Sequence, residues 1–133
     1  MPVSTNDYVS VSDFVGRYCW LIDSGDGDGW SALWAEDGVF NGLVAEPIVG
    51  REALRAVPPS AFALSKGTMR HHAGSLVCDY DDNDSNTVIA KYYNMVTNWS
   101  SGGKLFCLAD ITIHLIRNGN SWLIQKSEAV TLV

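Results

Sequence analysis

The chain has 133 residues and a formal charge of −6, with a pI near 4.8. A chain of this length buries about two-thirds of its unfolded surface, enough for one hydrophobic core and too little for two, so residues 1–133 are expected to form a single domain. The acidic balance argues against nucleic acid or an anionic membrane surface as partner, because both need a basic footprint.

Met1 to about Asp7 has no basic region followed by an apolar run and is expected to be a loose arm. No later stretch approaches the roughly 18 apolar residues of a membrane helix, and the expectation is a soluble, cytoplasmic protein. Val11, Phe14, Val15, Tyr18, Leu21 and Ile22 recur at helical spacing. They predict a helix capped by Ser10 or Ser12 and ending near Asp23, where Ser24-Gly25-Asp26-Gly27-Asp28-Gly29 makes continuation costly. Asp28 then stands where an N-cap belongs, ahead of a short helix carrying Trp30, Leu33 and Trp34. Asp37-Gly38 turns the chain into a strand near Gly38 to Gly42, and Glu46 to Val49 reads as a short return strand. Arg51 to Val57 is predicted to be a two-turn helix stopped by Pro58-Pro59, and Ser60 to Ser65 a further helical turn ending at Gly67.

Four long strands follow, Met69–Tyr80, Thr87–Trp99, Lys104–Arg117 and Ser121–Val133, separated by an acidic hairpin tip, a Ser-Gly turn and Asn118-Gly119-Asn120. On the third, Ile111, Ile113 and Leu115 alternate with Asp110, Thr112 and His114. Helices followed by strands indicate an α+β architecture. Asp81, Asp82 and Asp84 lack the Gly and terminal Glu of a calcium loop, so they read as a solvated tip. Cys19, Cys78 and Cys107 are odd in number and widely spaced, which predicts buried free thiols rather than a zinc site. No metal ligand set is expected.

The segment RYCWLIDSGDGDGWSALWAEDGVF, with the later IVGREALRA and RHH, resembles the SnoaL-like branch of the nuclear transport factor 2-like superfamily, which includes scytalone dehydratase, bile-acid dehydratases and ketosteroid isomerase. The resemblance implies a cone: a curved, mostly antiparallel (cystatin-like) sheet wrapped against N-terminal helices, with one pocket in its open end and a homodimer formed through the sheet. It leaves the reaction open, since this fold hosts isomerases, dehydratases, cyclases, hydrolases and binding domains.

The same comparison assigns residues. The histidine of scytalone dehydratase falls on His71 in His71-His72-Ala73-Gly74, its aspartate on Asp23, and the tyrosine, aspartate and histidine of bile-acid dehydratases fall on Tyr18, Asp23 and His71. Departures matter too. Ketosteroid isomerase places its oxyanion tyrosine on Tyr18, but its general base falls on Gly42 and its second oxyanion acid near Ile113. Scytalone dehydratase has a further tyrosine where Gly42 stands, and its second histidine falls near Cys107.

Read from the residues, adjacent strand positions face opposite ways, so only one of His71 and His72 can look into the cone. An imidazole moves protons at neutral pH, a carboxylate beside it orients it, and Tyr18 would donate a hydrogen bond to a carbonyl or departing hydroxyl oxygen. Such a triad needs no cofactor, and SGDGDG follows a helix rather than a strand, so it is not a dinucleotide fingerprint. Trp20, Trp34, Phe40, Phe62, Met69, Tyr92 and Phe106 are expected to wall the pocket, with Asn94 and Asp110 as polar contributors. The chain is thus expected to be a cofactor-free dehydratase, isomerase or cyclase acting on a small, mostly apolar cyclic molecule. The alternative is a non-catalytic ligand-binding or dimerisation domain of the same fold.

Overall fold

The computed structural model describes all of residues 1–133. Its elements run α1 (Thr5–Asp23), α2 (Gly27–Ser31), β1 (Trp34–Asn41), β2 (Ile48–Val49), α3 (Arg51–Leu54), α4 (Val57–Ser65), β3 (Met69–Asp81), β4 (Asp84–Asn98), β5 (Lys104–Asn118) and β6 (Ser121–Thr131). The strands form one sheet in the order β2-β1-β6-β5-β4-β3. Every pairing is antiparallel except β1 with β6. The expected α+β class and curved, mostly antiparallel sheet are therefore observed.

Register shifts at Gly74/Val77, Val96/Thr97 and His114/Leu115 bend the long strands. An extra residue on one strand of a pair raises the local twist and lets the sheet curl around the helices. Gly42 shows how closely the strands approach. Its φ is +93°, and a Cβ there would sit 2.1 Å from the Ala129 carbonyl oxygen, so only glycine can occupy the end of β1 beside β6.

The N-terminus departs from expectation. The helix begins at Thr5, and Ser4 caps it by accepting a hydrogen bond from the Asp7 N–H at 3.2 Å. Ser10 and Ser12 lie inside it. The first residues are pinned rather than loose: Val3 N–H donates to the Cys78 carbonyl and Tyr80 N–H to that of Met1. Arg117 donates to both Asp7 carboxylate oxygens, at 3.2 and 2.8 Å, and the Tyr80 hydroxyl donates to one of them at 2.6 Å. These donors hold the Asp7 carboxyl below its usual range, Arg117 first and Tyr80 next.

Asp26, not Asp28, caps α2, accepting from the Gly29 N–H at 2.8 Å. Trp34 begins β1 instead of closing α2. The predicted bend at Asp37-Gly38 survives as the irregularity between Trp34 and Val39 in the β1–β6 pairing. α3 stops at Leu54, and Pro58-Pro59 occupy the first turn of α4 rather than ending a helix. First-turn N–H groups have no partner within the helix, so proline loses nothing there.

The core lies between α1, α2 and the concave sheet face. Tyr18, Trp30, Trp34 and Phe40 form an aromatic chain with successive ring centroids 5.4, 5.2 and 5.5 Å apart. Val88, Ala90, Tyr92, Ile111, Ile113, Leu115, Trp122 and Ile124 complete it from the sheet. Arg51 ties α3 to β1 by donating to the Trp34 carbonyl, from Nε at 3.1 Å.

Candidate active site

α1 and β3 meet where the helix ends and the strand begins. Asp23, the last helical residue, accepts two hydrogen bonds from one partner: His71 Nδ1 lies 2.6 Å from Oδ1, and the His71 backbone N–H is 2.9 Å from Oδ2. Both side chains are nearly buried, with about a tenth of their surface exposed. A carboxylate can only accept, so Nδ1 carries a proton, and in the neutral ring Nε2 then holds the lone pair. Nδ1 is turned to Asp23, which leaves the opposite ring edge for the cavity that His71 lines.

That cavity has a volume of about 750 Å³. Twenty of its 25 lining residues are hydrophobic, and none is Asp, Glu, Lys or Arg. A charged ligand would lose its hydration there without an ionic partner, so the wall favours an uncharged, largely apolar one. No three His, Cys, Asp or Glu side chains converge as a metal-ligating group.

Tyr18 lines the cavity from α1 and Tyr92 from β4. Burial pushes the Tyr18 phenol well above its ordinary pKa, and the neighbouring Tyr92 and Cys19 push it further; burial does the same to Tyr92. Both are therefore neutral hydrogen-bond donors at physiological pH. Cys19, behind them, is pushed up to about 11 by burial and by the Asp23 charge, and its sulfur is no nucleophile at neutral pH. All three cysteines are free, although Cys107 is only partly buried and lines the cavity.

Of the expected wall, Phe40, Met69, Tyr92, Asn94 and Phe106 do line the cavity. Four residues do not. Trp20 is 80% exposed, because two residues beyond Tyr18 on a helix is a rotation of about 200°. Trp34 is fully buried behind Phe40, in the core rather than the wall. Phe62 faces outward from α4 and lies against Gly25 and Gly67, where a Cβ would come within 3.0 and 2.8 Å of its ring. Asp110 is on the convex face opposite Tyr93 and Val130, while its neighbour Ala109 points inward. Asp23 itself lies outside the cavity lining and reaches it through His71. His72 points away, with Nε2 3.0 Å from Thr97 Oγ1.

The mouth was not anticipated. Leu43 and Val44 in the β1–β2 loop, Leu64 on α4 and Val133 at the chain end are all exposed apolar residues that line the cavity. The signal available was an apolar pair inside a loop bounded by Gly42 and Pro47.

With this geometry in place, the comparisons identify the class. The sequence profile of the SnoaL-like domain matches residues 3–128, and the chain belongs to that family. No curated protein is significantly similar in sequence. Among solved structures, Aln2 from a Streptomyces species superposes with a TM-score of 0.88 at 22% identity, covering 98% of this chain and 94% of its own. An NTF2-like protein with a cystatin-like fold from Novosphingobium aromaticivorans gives 0.84 at 24% identity, covering 95% and 82%. A candidate scytalone dehydratase from the same species gives 0.79 at 13% identity, covering 96% and 85%. At these identities the likeness establishes the cystatin-like fold and nothing finer.

Proposed function

We propose that this chain is a cofactor-independent acid–base enzyme of the dehydratase, isomerase or cyclase type, acting on a small, uncharged, mostly apolar cyclic molecule. The observation that carries the reading is the Asp23–His71 pair, 2.6 Å apart, whose histidine lies in the wall of a mostly apolar cavity. His71 Nε2 takes a proton from a carbon beside a carbonyl, and Tyr18 donates a hydrogen bond to the oxygen that gains negative charge. In a dehydration the imidazolium then returns the proton to the departing hydroxyl, which leaves as water. In an isomerisation it returns the proton to another carbon. The candidate scytalone dehydratase among the structural relatives supports this class.

The test is a turnover screen of small hydroxy-ketones and phenolic polyketides with the wild-type chain and His71→Ala. Turnover that disappears in the variant supports the reading. Binding without turnover, or turnover indifferent to His71, returns the chain to the ligand-binding alternative.

We also propose a homodimer through the convex sheet face, where Tyr93, Met95 and Val130 are exposed side by side on β4 and β6 around Asp110. Light scattering at micromolar concentration should give twice 14.5 kDa; the monomer mass would remove the proposal. Three unpaired cysteines suit a reducing compartment, and we place the protein in the cytoplasm. No helix is long and apolar enough to cross a membrane.

A further inference from the structure

Tyr18 and Tyr92 are 7% and 4% exposed, come from different elements and line the same cavity. Neither hydroxyl makes a hydrogen bond within the chain, yet neither oxygen is among the sealed, unpartnered side-chain atoms, which are only Trp30 Nε1 and Trp34 Nε1. Both oxygens therefore open onto the cavity. They reach that cavity from α1 and from β4. Phenylalanine at either position would fill the same volume without leaving a buried donor to be satisfied. Two such donors in the wall of one cavity otherwise dominated by aliphatic groups call for an acceptor brought in from outside.

We propose that Tyr92 is a second oxygen-binding residue, and that its hydroxyl and that of Tyr18 together hold one acceptor oxygen, a ketone carbonyl or the enolate formed from it, of an uncharged cyclic ligand. This deepens the acid–base reading and rests on it for the enolate. A carboxylate or phosphate is a poor occupant, because no cation lines the cavity to offset its desolvation. A ketone needs none. When His71 removes the proton next to the carbonyl, a C–H bond breaks, an N–H bond forms at Nε2, and the electron pair becomes a carbon–carbon double bond as the carbonyl π pair moves to oxygen. Two neutral phenols already aimed at that oxygen stabilise it more in this state than in the ketone. Burial keeps both phenols protonated for this purpose.

The test compares α-tetralone with tetralin, which share a bicyclic carbon frame and differ by the carbonyl oxygen. Both are titrated by calorimetry into the wild-type chain, Tyr92→Phe, Tyr18→Phe and His71→Ala, and the 13C carbonyl resonance of bound α-tetralone is recorded. The wild type should prefer α-tetralone. Tyr92→Phe should weaken α-tetralone about fivefold, as expected for one neutral hydrogen bond, without changing tetralin. Tyr18→Phe should do the same, and each change should move the bound carbonyl resonance upfield. His71→Ala should leave the preference intact, so a failure of the catalytic reading shows in turnover and not here. Because Tyr92 makes no hydrogen bond within the chain, Tyr92→Phe should melt no lower than wild type. A wild type with no preference, or a Tyr92→Phe variant with an unchanged ratio of affinities and an unchanged resonance, overturns the proposal.

Discussion

Asp23→Asn separates what the carboxylate does for the fold from what it does for the imidazole. Asp23 accepts from the His71 backbone N–H at 2.9 Å and from Nδ1 at 2.6 Å, and a hydrogen bond to a charged group contributes about 1.5–3 kcal/mol. Asparagine keeps an oxygen for the backbone N–H and turns its NH2 toward Nδ1. That bond persists only if the histidine changes tautomer, with Nδ1 accepting and Nε2 protonated. The change also removes a carboxylate from the C-terminus of α1, where a negative charge opposes the helix dipole by about 0.3–1 kcal/mol. The net loss is then about 1 kcal/mol, a fall in Tm of roughly 3–5 °C for a chain of this size.

Under the proposed acid–base reading the loss of turnover is far larger, because Nε2 can no longer accept a proton. Turnover of any hydroxy-ketone substrate should fall by about 10²–10⁴. The imidazole 15N resonances should report the exchange of tautomers directly. Turnover within threefold of wild type would refute the reasoning. So would a fall in Tm several times larger than expected, since the pair would then serve chiefly to fasten α1 to β3.

Other outcomes follow from the same geometry. His71→Ala should abolish turnover and His72→Ala retain most of it in the same assay, because His72 bonds Thr97 on the far face of the strand; Asp23→Asn combined with His71→Ala should be little worse than His71→Ala alone. Gly42→Ala should lower stability by about 2 kcal/mol or more in thermal melts, since the new methyl meets the Ala129 carbonyl at 2.1 Å on a backbone with φ of +93°. Asp7→Asn should lower Tm by several degrees at pH 7, and the gap should close in acid. The folded carboxyl titrates below the ordinary 3.8, so its contribution is present above that value and is lost as pH falls through the folded pKa. Trp20→Ala should leave turnover unchanged and stability within about 0.5 kcal/mol in chemical denaturation, because the side chain is 80% exposed.

The architecture was legible because its signals are periodic. Strands of 11–15 residues separated by turn-forming clusters and an apolar stripe from Val11 to Ile22 leave few alternatives once a helix must cover a sheet. Local chemistry misled where two residues could serve the same role. Ser4, with Asp7 three positions on, is an N-cap signal as good as Ser10 or Ser12, and the extra turns it adds to α1 are what bring Asp7 to Arg117. Asp26 and Asp28 differ only in which one finds the Gly29 N–H.

Facing is harder to read than periodicity for aromatic residues, since the same hydrophobic type suits a cavity, a core or a surface. Trp34 and Phe40 both belong to β1, yet Phe40 borders the cavity and Trp34 packs behind it. Strand alternation alone excludes Asp110 once Ile111, Ile113 and Leu115 are placed inward. The same rule puts Ala109 and Cys107 on the inner face and leaves Asn94, from the neighbouring strand, as the amide that lines the cavity.

The dyad also explains an arrangement that helix rules alone would disfavour. A carboxylate closing α1 works against the helix dipole, and its two hydrogen bonds to His71 more than offset that cost. Had the carboxylate lined the cavity itself, an apolar ligand would have had to desolvate it on binding. Set one residue back, it orients the imidazole, and only the opposite ring edge borders the cavity. Asp23→Glu tests that spacing. The longer side chain should still hold charge near Nδ1 but cannot keep both bonds without displacing the ring, so kcat should fall while affinity for an apolar ligand such as tetralin stays unchanged. Weakened tetralin binding with full turnover would mean that the carboxylate shapes the cavity rather than the base.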